Sequence, residues 1–461
     1  MTIDLIMDPR SIAVIGASSD SLSVGYGILK SLVNGCVMKD VFCKPFGGKV
    51  FAVNPHSSSI LGKKCHKQVS DIPGKIDLAV IAVPAKVVPL VLEECGKKGI
   101  KGAIIISAGF KELGGEGKKR EDLIKKIAKK YSIRFVGPNC LGILRMKNHL
   151  NASFAPTMPP EGDIAFISQS GALADSIIDW VVQEHYGFSA VISIGNAADL
   201  DIKDFLAWLE KDAETKAICI YLEGLKDGQE FLKVAKRVSK EKPIIVLKAG
   251  RTEKGRHAIA SHTGSLAGSY EVYKAAFKQA GIMQADTVEE LFDLGKVLAH
   301  QPPCKKNSIA IVTNGGGPGV LCADHCDDLG VNVVKLKMST IKKLERTGKM
   351  HPAYSRANPL DIVGDALPDR YEAAIMTLLA EPYIHGMIII QTLQTMTDPI
   401  EDAKVVIKAK KRFPKKPIIC LYMGGFFTRK AGLLLEANRI PNMTDPKKAA
   451  MGMKALIQRG E

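Results

Sequence analysis

The sequence predicts an α/β protein of three consecutive modules with mainly parallel sheets. Three observations carry that expectation. An apolar strand running into a Gly/Ser loop occurs three times, as SIAVIGASSD from Ser11, DIAFISQSGALAD from Asp163 and SIAIVTNGGGPG from Ser308. The chain has 461 residues, and the recurrence interval of roughly 150 residues is the usual size of one domain. Further short β-rich runs alternate with stretches of helical period, which is the pattern of right-handed βαβ units on parallel sheets.

The first module, expected over 1–145, continues from its opening strand through KVFAVNP, DLAVIAVP, GAIIISAGF and IRFVGPNC, with the helical stretch VVPLVLEECGKKG between. The second, over 146–300, adds AVISIGN, AICIYLEG and PIIVLKAG, with DFLAWLEKD as a helix. HQPPCKKNS, from His300 to Ser308, reads as a linker into a third module over 301–461, with VNVVKL, GMIIIQTL and PIICLYM as strands. The modules are expected to be Rossmann-like and flavodoxin-like.

Composition narrows the function classes. Hydrophobic residues at 46% and charged residues at 24% are ordinary for a globular chain. No apolar run reaches the ~18 residues of a membrane span, and the opening MTIDLIMDPRS lacks the basic stretch of a signal peptide. Ten cysteines are scattered without a CxxC pair, which predicts reduced thiols and a cytoplasmic setting. Cys322, His325 and Cys326 follow a glycine loop at helical spacing, so they read as a packed helix face, and no metal is expected. The net charge of +16 is spread over solvated helix faces such as KKREDLIKKIAKK without an aromatic–basic motif. That argues against nucleic acid and suits a ligand rich in phosphate.

Ligands of parallel sheets bind at the carboxyl ends of the strands, where the Gly/Ser loops fall. Helix N-termini there present unpaired N–H groups and the positive end of the dipole. SQSG (Ser168 to Gly171) and NGGGPG (Asn314 to Gly319) are therefore either phosphate cradles or plain strand-to-helix turns. The first loop, GASSDSLSVG, lacks the GxGxxG spacing, and the second strand ends in Asn54-Pro55 instead of an acid. Both oppose a nicotinamide dinucleotide and favour another nucleotide-bearing ligand. The segment from Gly250 to Ser269 is rich in small residues and holds His257 and His262, which predicts a mobile loop. A neutral imidazole there could attack phosphorus. Glu223 ends the AICIYLEG run, where a carboxylate could orient such an imidazole or cap a turn.

Four motifs in order, GPNC (Gly137 to Cys140), SQSGAL (Ser168 to Leu173), YLEG (Tyr221 to Gly224) and SHTGS (Ser261 to Ser265), resemble the nucleoside-diphosphate-forming acyl-CoA synthetases, the group that includes succinyl-CoA synthetase. The first two modules resemble that family's α subunit and the third its CoA-ligase domain, an arrangement similar to archaeal-type ADP-forming acetyl-CoA synthetase α subunits. The resemblance implies that His262 is phosphorylated and Glu223 holds it, while His257 matches no motif position. It implies phosphate cradles at Ser168, Ser170 and Gly171 and at Gly315, Gly316 and Gly317. It implies a CoA site lined by Gly16, Ala17, Ser18, Ser19, Ser23, Asn54, Pro55, Val83, Pro84, Ser107, Ala108 and Gly109, with Asn139 and Cys140 near the thioester. The expected reaction converts acyl-CoA, ADP and phosphate, with acetyl-CoA the expected thioester, to acid, ATP and CoA. No Walker motif occurs, so ADP or ATP with Mg²⁺ is expected on an ATP-grasp β subunit, in an α2β2 assembly. Ala174-Asp175 replaces an aromatic residue of succinyl-CoA synthetase, which points to a different acid, with the loop Ile194 to Asp201 helping to shape its pocket. Competing readings are a non-catalytic CoA sensor or scaffold, a CoA-dependent protein acyltransferase and a dinucleotide oxidoreductase.

Overall fold

The computed structural model describes residues 3–184, 186–263 and 269–461, the side chains of 260–263 excepted. It is α/β, with two seven-stranded sheets and one four-stranded sheet. Two compact units divide it, Met1–Thr287 and Val288–Glu461.

In the first sheet, Ser11–Ile15 lies between the parallel strands Lys49–Val53 and Leu78–Ile81, and Gly102–Ile105 and Arg134–Val136 continue the sheet outward. Every residue of Ser11–Ile15 is buried, because helices cover both faces of such a sheet and its strands must be apolar throughout. The second sheet centres on Glu161–Ser168, flanked by Phe188–Ser193 and Ala217–Leu222, with Ile244–Lys248 beyond. An antiparallel hairpin, Gly142–Arg145 with Leu150–Ser153, closes its other edge. In the C-terminal unit Ile309–Thr313 runs between the short strand Leu360–Asp361 and Gly386–Thr392, with Ile418–Met423 outermost. Each of the three recurring strands thus sits inside its sheet and delivers its loop to the carboxyl edge.

Four local expectations are corrected. VNVVKL is not a strand: Val333 makes an isolated bridge to Ile309. The Asn358 side chain takes the neighbouring positions, donating to the carbonyls of Ile309 at 3.0 Å and Val334 at 2.8 Å and accepting from Ile311 N at 2.9 Å. The segment His300 to Ser308 is not a free linker. Gln301 is buried, donates to Arg439 O at 2.6 Å and accepts from Ile418 N at 3.0 Å. Much of the expected loop after Gly250 is helical, Glu253–Thr263. Thr252 Oγ1 accepts from Gly255 N at 3.1 Å, and Ile259 anchors the helix by burial. Finally, Cys36 and Cys43 form a disulfide, their Cα atoms 5.6 Å apart, within the ordinary range for such a bridge. Among the described residues no helix is long and apolar enough to cross a membrane.

Arg145 ties the hairpin to the sheet. Its side chain is 1% exposed and donates to both carboxylate oxygens of Asp212, at 3.0 and 2.6 Å, and to Ser189 O at 3.2 Å. Burial alone would raise the Asp212 pKa, but hydrogen bonds from Arg145 and Thr215 outweigh it and hold the carboxyl below its usual range. The contribution of the pair is therefore present above the ordinary carboxylate range and lost as pH falls below it. Arg145→Ala strands a buried carboxylate and is expected to cost about 3–5 kcal/mol in urea denaturation at pH 7. A change within about 0.5 kcal/mol would contradict the role given to this pair.

Candidate active site

The turn after Glu161–Ser168 is built by two side chains. Buried Ser168 donates from Oγ to Ser170 O at 2.7 Å and accepts from Ser170 N at 3.1 Å. Gln169 reaches sideways to the next strand end: its Oε1 accepts from Glu223 N at 2.5 Å and Gly224 N at 3.0 Å, and its Nε2 donates to Gly224 O at 2.8 Å. Parallel strands leave such backbone groups unpaired where the ladder stops, and an amide carries the donor and acceptor needed to pair them. The helix Gly171–Glu184 begins immediately after this turn.

The C-terminal unit repeats the construction. Thr313 Oγ1 donates to Gly315 O at 2.8 Å and accepts from Gly315 N at 3.1 Å. Asn314 accepts from Thr392 N at 2.7 Å and donates to Thr392 O at 2.9 Å. The helix Gly316–Asp328 follows, with no side chain capping its first N–H groups. A Cβ on Gly315 would meet Thr392 side-chain atoms at 3.0 Å, so a side chain there would require Thr392 to shift.

A cavity of about 780 Å³ opens at the first of these turns. Of the residues singled out in the sequence, Val83, Pro84, Ser107, Ala108, Asn139 and Cys140 line it, together with Ser170, Gly171 and Glu223. The structure therefore brings two turns expected to line CoA, the Asn139-Cys140 pair expected near the thioester, one expected phosphate cradle and the carboxylate into one space. The loop Ile194 to Asp201 closes one side: Asn196 N donates to Pro138 O and Ala198 N to Gly137 O, both at 2.9 Å. Gly195 adopts φ +54°, and a Cβ there would meet Asn139 O at 2.3 Å, so the close approach needs glycine.

Other expected residues lie outside this lining. Gly16 (φ +91°) is where Ala82 O approaches closely, 2.3 Å from an added Cβ. Ser23 caps the helix Val24–Asn34, accepting from Tyr26 N at 3.2 Å. Asn54 fixes the first loop by donating to Ala17 O at 2.7 Å. Ser18, Ser19, Pro55 and Gly109 are likewise absent from the cavity wall. Ser168 is buried beneath its turn, and Gly316 and Gly317 belong to the C-terminal unit.

Two charged residues at these strand ends are withdrawn from water. Glu223 is 9% exposed. Lys248, at the end of the adjacent strand, donates to Glu223 O at 2.8 Å and lies 4.7 Å from the Tyr273 ring centroid. Burial, opposed by the Glu223 charge, pushes its pKa down to about 8. Burial also raises the Cys140 thiol to about 12, which removes it as a nucleophile near neutrality. Lys226 donates to Asn196 O at 2.9 Å; its side chain keeps exposed surface, and partial desolvation lowers its pKa. The His262 side chain lies outside the described residues; its backbone belongs to the helix Glu253–Thr263, three residues beyond Ile259, which lines the cavity. His257 is exposed, 3.9 Å from Glu253.

Sequence reasoning missed the roles of Gln169 and Asn314 and the cavity residues Lys111 and Lys226. Aligning SQSG with TNGG would have exposed the first pair, because both put an amide directly after the last hydroxyl of the strand.

Three family descriptions cover the chain: a CoA binding domain over residues 10–146, a succinyl-CoA ligase like flavodoxin domain over 161–298 and a ligase-CoA domain over 309–455. It is 44% identical to the ADP-forming acetate–CoA ligase II subunit alpha of Pyrococcus furiosus, over 100% of this chain and 98% of that one. The chain belongs to the ADP-forming acetate–CoA ligase family. The ADP-forming acetate–CoA ligase of Methanocaldococcus jannaschii is 48% identical over 97% of this chain, which spans 61% of its length. Among solved structures of these ligases, the acetyl-coenzyme A synthetase 1 of Ca. Korarchaeum cryptofilum, in complex with phosphate and ADP, matches with a TM-score of 0.92 at 40% identity, covering 100% of this chain and 97% of that one.

Two outcomes are expected from this arrangement. Gln169→Ala unpairs the Glu223-Gly224 strand end and should lower kcat/KM for acetyl-CoA about 10- to 100-fold with secondary structure retained by circular dichroism; activity within twofold would contradict the clamp. Between the folded pKa of Lys248, about 8, and its unfolded value near 10.4, the unfolded chain binds more protons, so stability from this group rises with pH. Denaturation of wild type should therefore gain on Lys248→Met from pH 8 to pH 10, and parallel profiles would refute the depressed pKa.

Proposed function

We propose that the chain is the CoA-binding, phosphohistidine-carrying subunit of an ADP-forming acyl-CoA synthetase, with acetyl-CoA as its expected thioester. The observation that carries this reading is the single cavity shared by Asn139 and Cys140, by the Ser170-Gly171 helix start and by Glu223.

Phosphate sits at the N–H groups of Gly171 and its neighbours, where dipole and backbone donors favour an anion. One of its oxygens attacks the thioester carbonyl; the C–S bond breaks, the CoA sulfur takes up the phosphate proton, and an acyl phosphate remains. The same donors hold the charge that develops on phosphate and on the carbonyl oxygen. A ring nitrogen of His262 then attacks phosphorus. The bond to the acyl oxygen breaks, the carboxylate leaves, and Glu223 stabilises the cationic phosphoimidazole. In the last step the terminal phosphate oxygen of ADP attacks, the P–N bond breaks and ATP forms. Gly315, Gly316 and Gly317 offer a second set of helix-start donors for the travelling phosphoryl group. The loop of Gly16, Ala17, Ser18, Ser19 and Ser23 and the turns at Asn54-Pro55, Val83-Pro84 and Ser107 to Gly109 hold CoA.

ADP with Mg²⁺ is bound by an ATP-grasp β subunit in an α2β2 cytoplasmic assembly. The absence of a Walker sequence and the greater length of the Methanocaldococcus relative support a separate nucleotide module.

The test is labelling from acetyl phosphate, or from acetyl-CoA with labelled phosphate, in wild type and His262→Ala. Acid-labile, alkali-stable label that vanishes in the variant is the expected result. No label in wild type with several acyl groups, the partner subunit supplied, would overturn the reading in favour of a CoA sensor.

A further inference from the structure

Every polar group of Asn196 is engaged around the cavity. Its N–H donates to Pro138 O and its carbonyl accepts from Lys226 Nζ, both at 2.9 Å. Its Nδ2 donates to Glu112 Oε2 at 2.7 Å and to Glu121 Oε2 at 3.0 Å, and its Oδ1 accepts from Asn139 Nδ2 at 3.4 Å. Burial would raise the Glu112 carboxyl, but Asn196 and the N–H groups of Gly109 and Phe110 outweigh it and hold it below its usual range. An ionised carboxylate only accepts, so the Asn196 nitrogen must face Glu112 and its oxygen must face Asn139. The long last contact thus follows from the shorter ones. Asn139 is held from its other side as well: its backbone sits at φ +57°, in the left-handed region that asparagine tolerates, and its N–H donates to Ser107 O at 3.0 Å. With Nδ2 turned to Asn196, Oδ1 is left without a donor among the described residues. Asn139 lines the cavity and stays partly exposed, so that acceptor is not sealed in. A Cβ added to Gly171 would lie 3.4 Å from the backbone nitrogen of Leu141, so the helix start and the Asn139 segment are neighbours.

We infer that Asn196 is a positioning residue for thioester cleavage, acting through the amide of Asn139. Asn139 Oδ1 accepts a hydrogen bond from the O–H that phosphate keeps near neutral pH, and this turns an unprotonated oxygen toward the thioester carbonyl. The inference deepens the proposed function and rests on it, because that reading places phosphate at the Gly171 helix start. The amide itself takes no proton. As the new O–C bond forms and the C–S bond breaks, the phosphate proton passes to the CoA sulfur. A neutral acceptor suits this place, since a carboxylate would repel the phosphate charge. Without Asn196 the Asn139 amide is free to rotate, and misplacing a reactant by about 1 Å costs on the order of 100-fold in rate.

The experiment measures phosphate-dependent CoA release from acetyl-CoA and, separately, labelling of His262 from acetyl phosphate. It uses wild type, Asn196→Ala, Asn139→Gly and the double variant; glycine keeps the left-handed backbone at position 139 without strain. Each single variant is expected to slow release about 10- to 100-fold, with the KM for acetyl-CoA within about threefold of wild type. The double variant should be no slower than Asn139→Gly alone, because the two residues act as one unit. Acetyl phosphate has already lost the thioester and brings no O–H on a dianionic phosphoryl group, so labelling should fall by less than about threefold in each variant. Release within about threefold of wild type in Asn196→Ala, losses that multiply in the double variant, or an equal loss of labelling would overturn the inference. If Asn196→Ala does not fold, Asn139→Gly decides: undiminished release, or labelling lost as far as release, overturns the inference. Any of these results in a wild type that labels His262 leaves the phosphohistidine reading standing. Neither release nor label in wild type overturns both.

Discussion

The amide of Gln169 holds two strand ends together at the wall of the cavity. Its three hydrogen bonds to Glu223 and Gly224 pair backbone groups that the parallel ladder no longer reaches, and they set where the Glu223 carboxylate begins. The Ser168 hydroxyl fixes the following turn, so the helix start at Gly171 is positioned by the same few atoms. Loss of this clamp would free the carboxylate and the Ser170-Gly171 turn together. Thr313 and Asn314 repeat the device in the C-terminal unit, so the duplication extends beyond the strand–helix pattern to individual hydrogen bonds.

Beside this clamp two charged residues, Glu223 and Lys248, are withdrawn from water. Lys248 is held against the Glu223 carbonyl and an aromatic face, and Lys226 against the Asn196 carbonyl. Low local dielectric strengthens each of these interactions and makes each unpaired atom costly. Cys140, in contrast, is buried to the point of inertness, so its place in the cavity wall is one of shape.

Much of the architecture was legible in the sequence because strands buried on both faces must be apolar runs, and SIAVIG, DIAFIS and SIAIVT could serve little else. VNVVKL looked the same but failed, since the Asn358 side chain competes for its ladder positions and nothing local announces that competition. The segment after Gly250 was misjudged because small residues suggest a loop, while its helix depends on a buried anchor, Ile259, and a hydroxyl cap, Thr252. At the site, position alone marked the Gly/Ser turns and Glu223 as candidates at strand ends, and the resemblance supplied their expected roles. The Gln169 clamp could not, because its meaning depends on which strand lies alongside. The first-loop residues Gly16, Ser23 and Asn54 show the converse: conspicuous in sequence, they hold the loop and the helix start together.

In the proposed mechanism, residues of this chain carry out thioester cleavage by phosphate, and nucleotide is needed only afterwards. The most direct measurement is a single-turnover assay of free CoA thiol from acetyl-CoA on adding phosphate, with no nucleotide and no second protein. A phosphate-dependent burst approaching about one thiol per chain is the predicted result. Release that proceeds equally well without phosphate, or that appears only when ADP and a second protein are supplied, would contradict it.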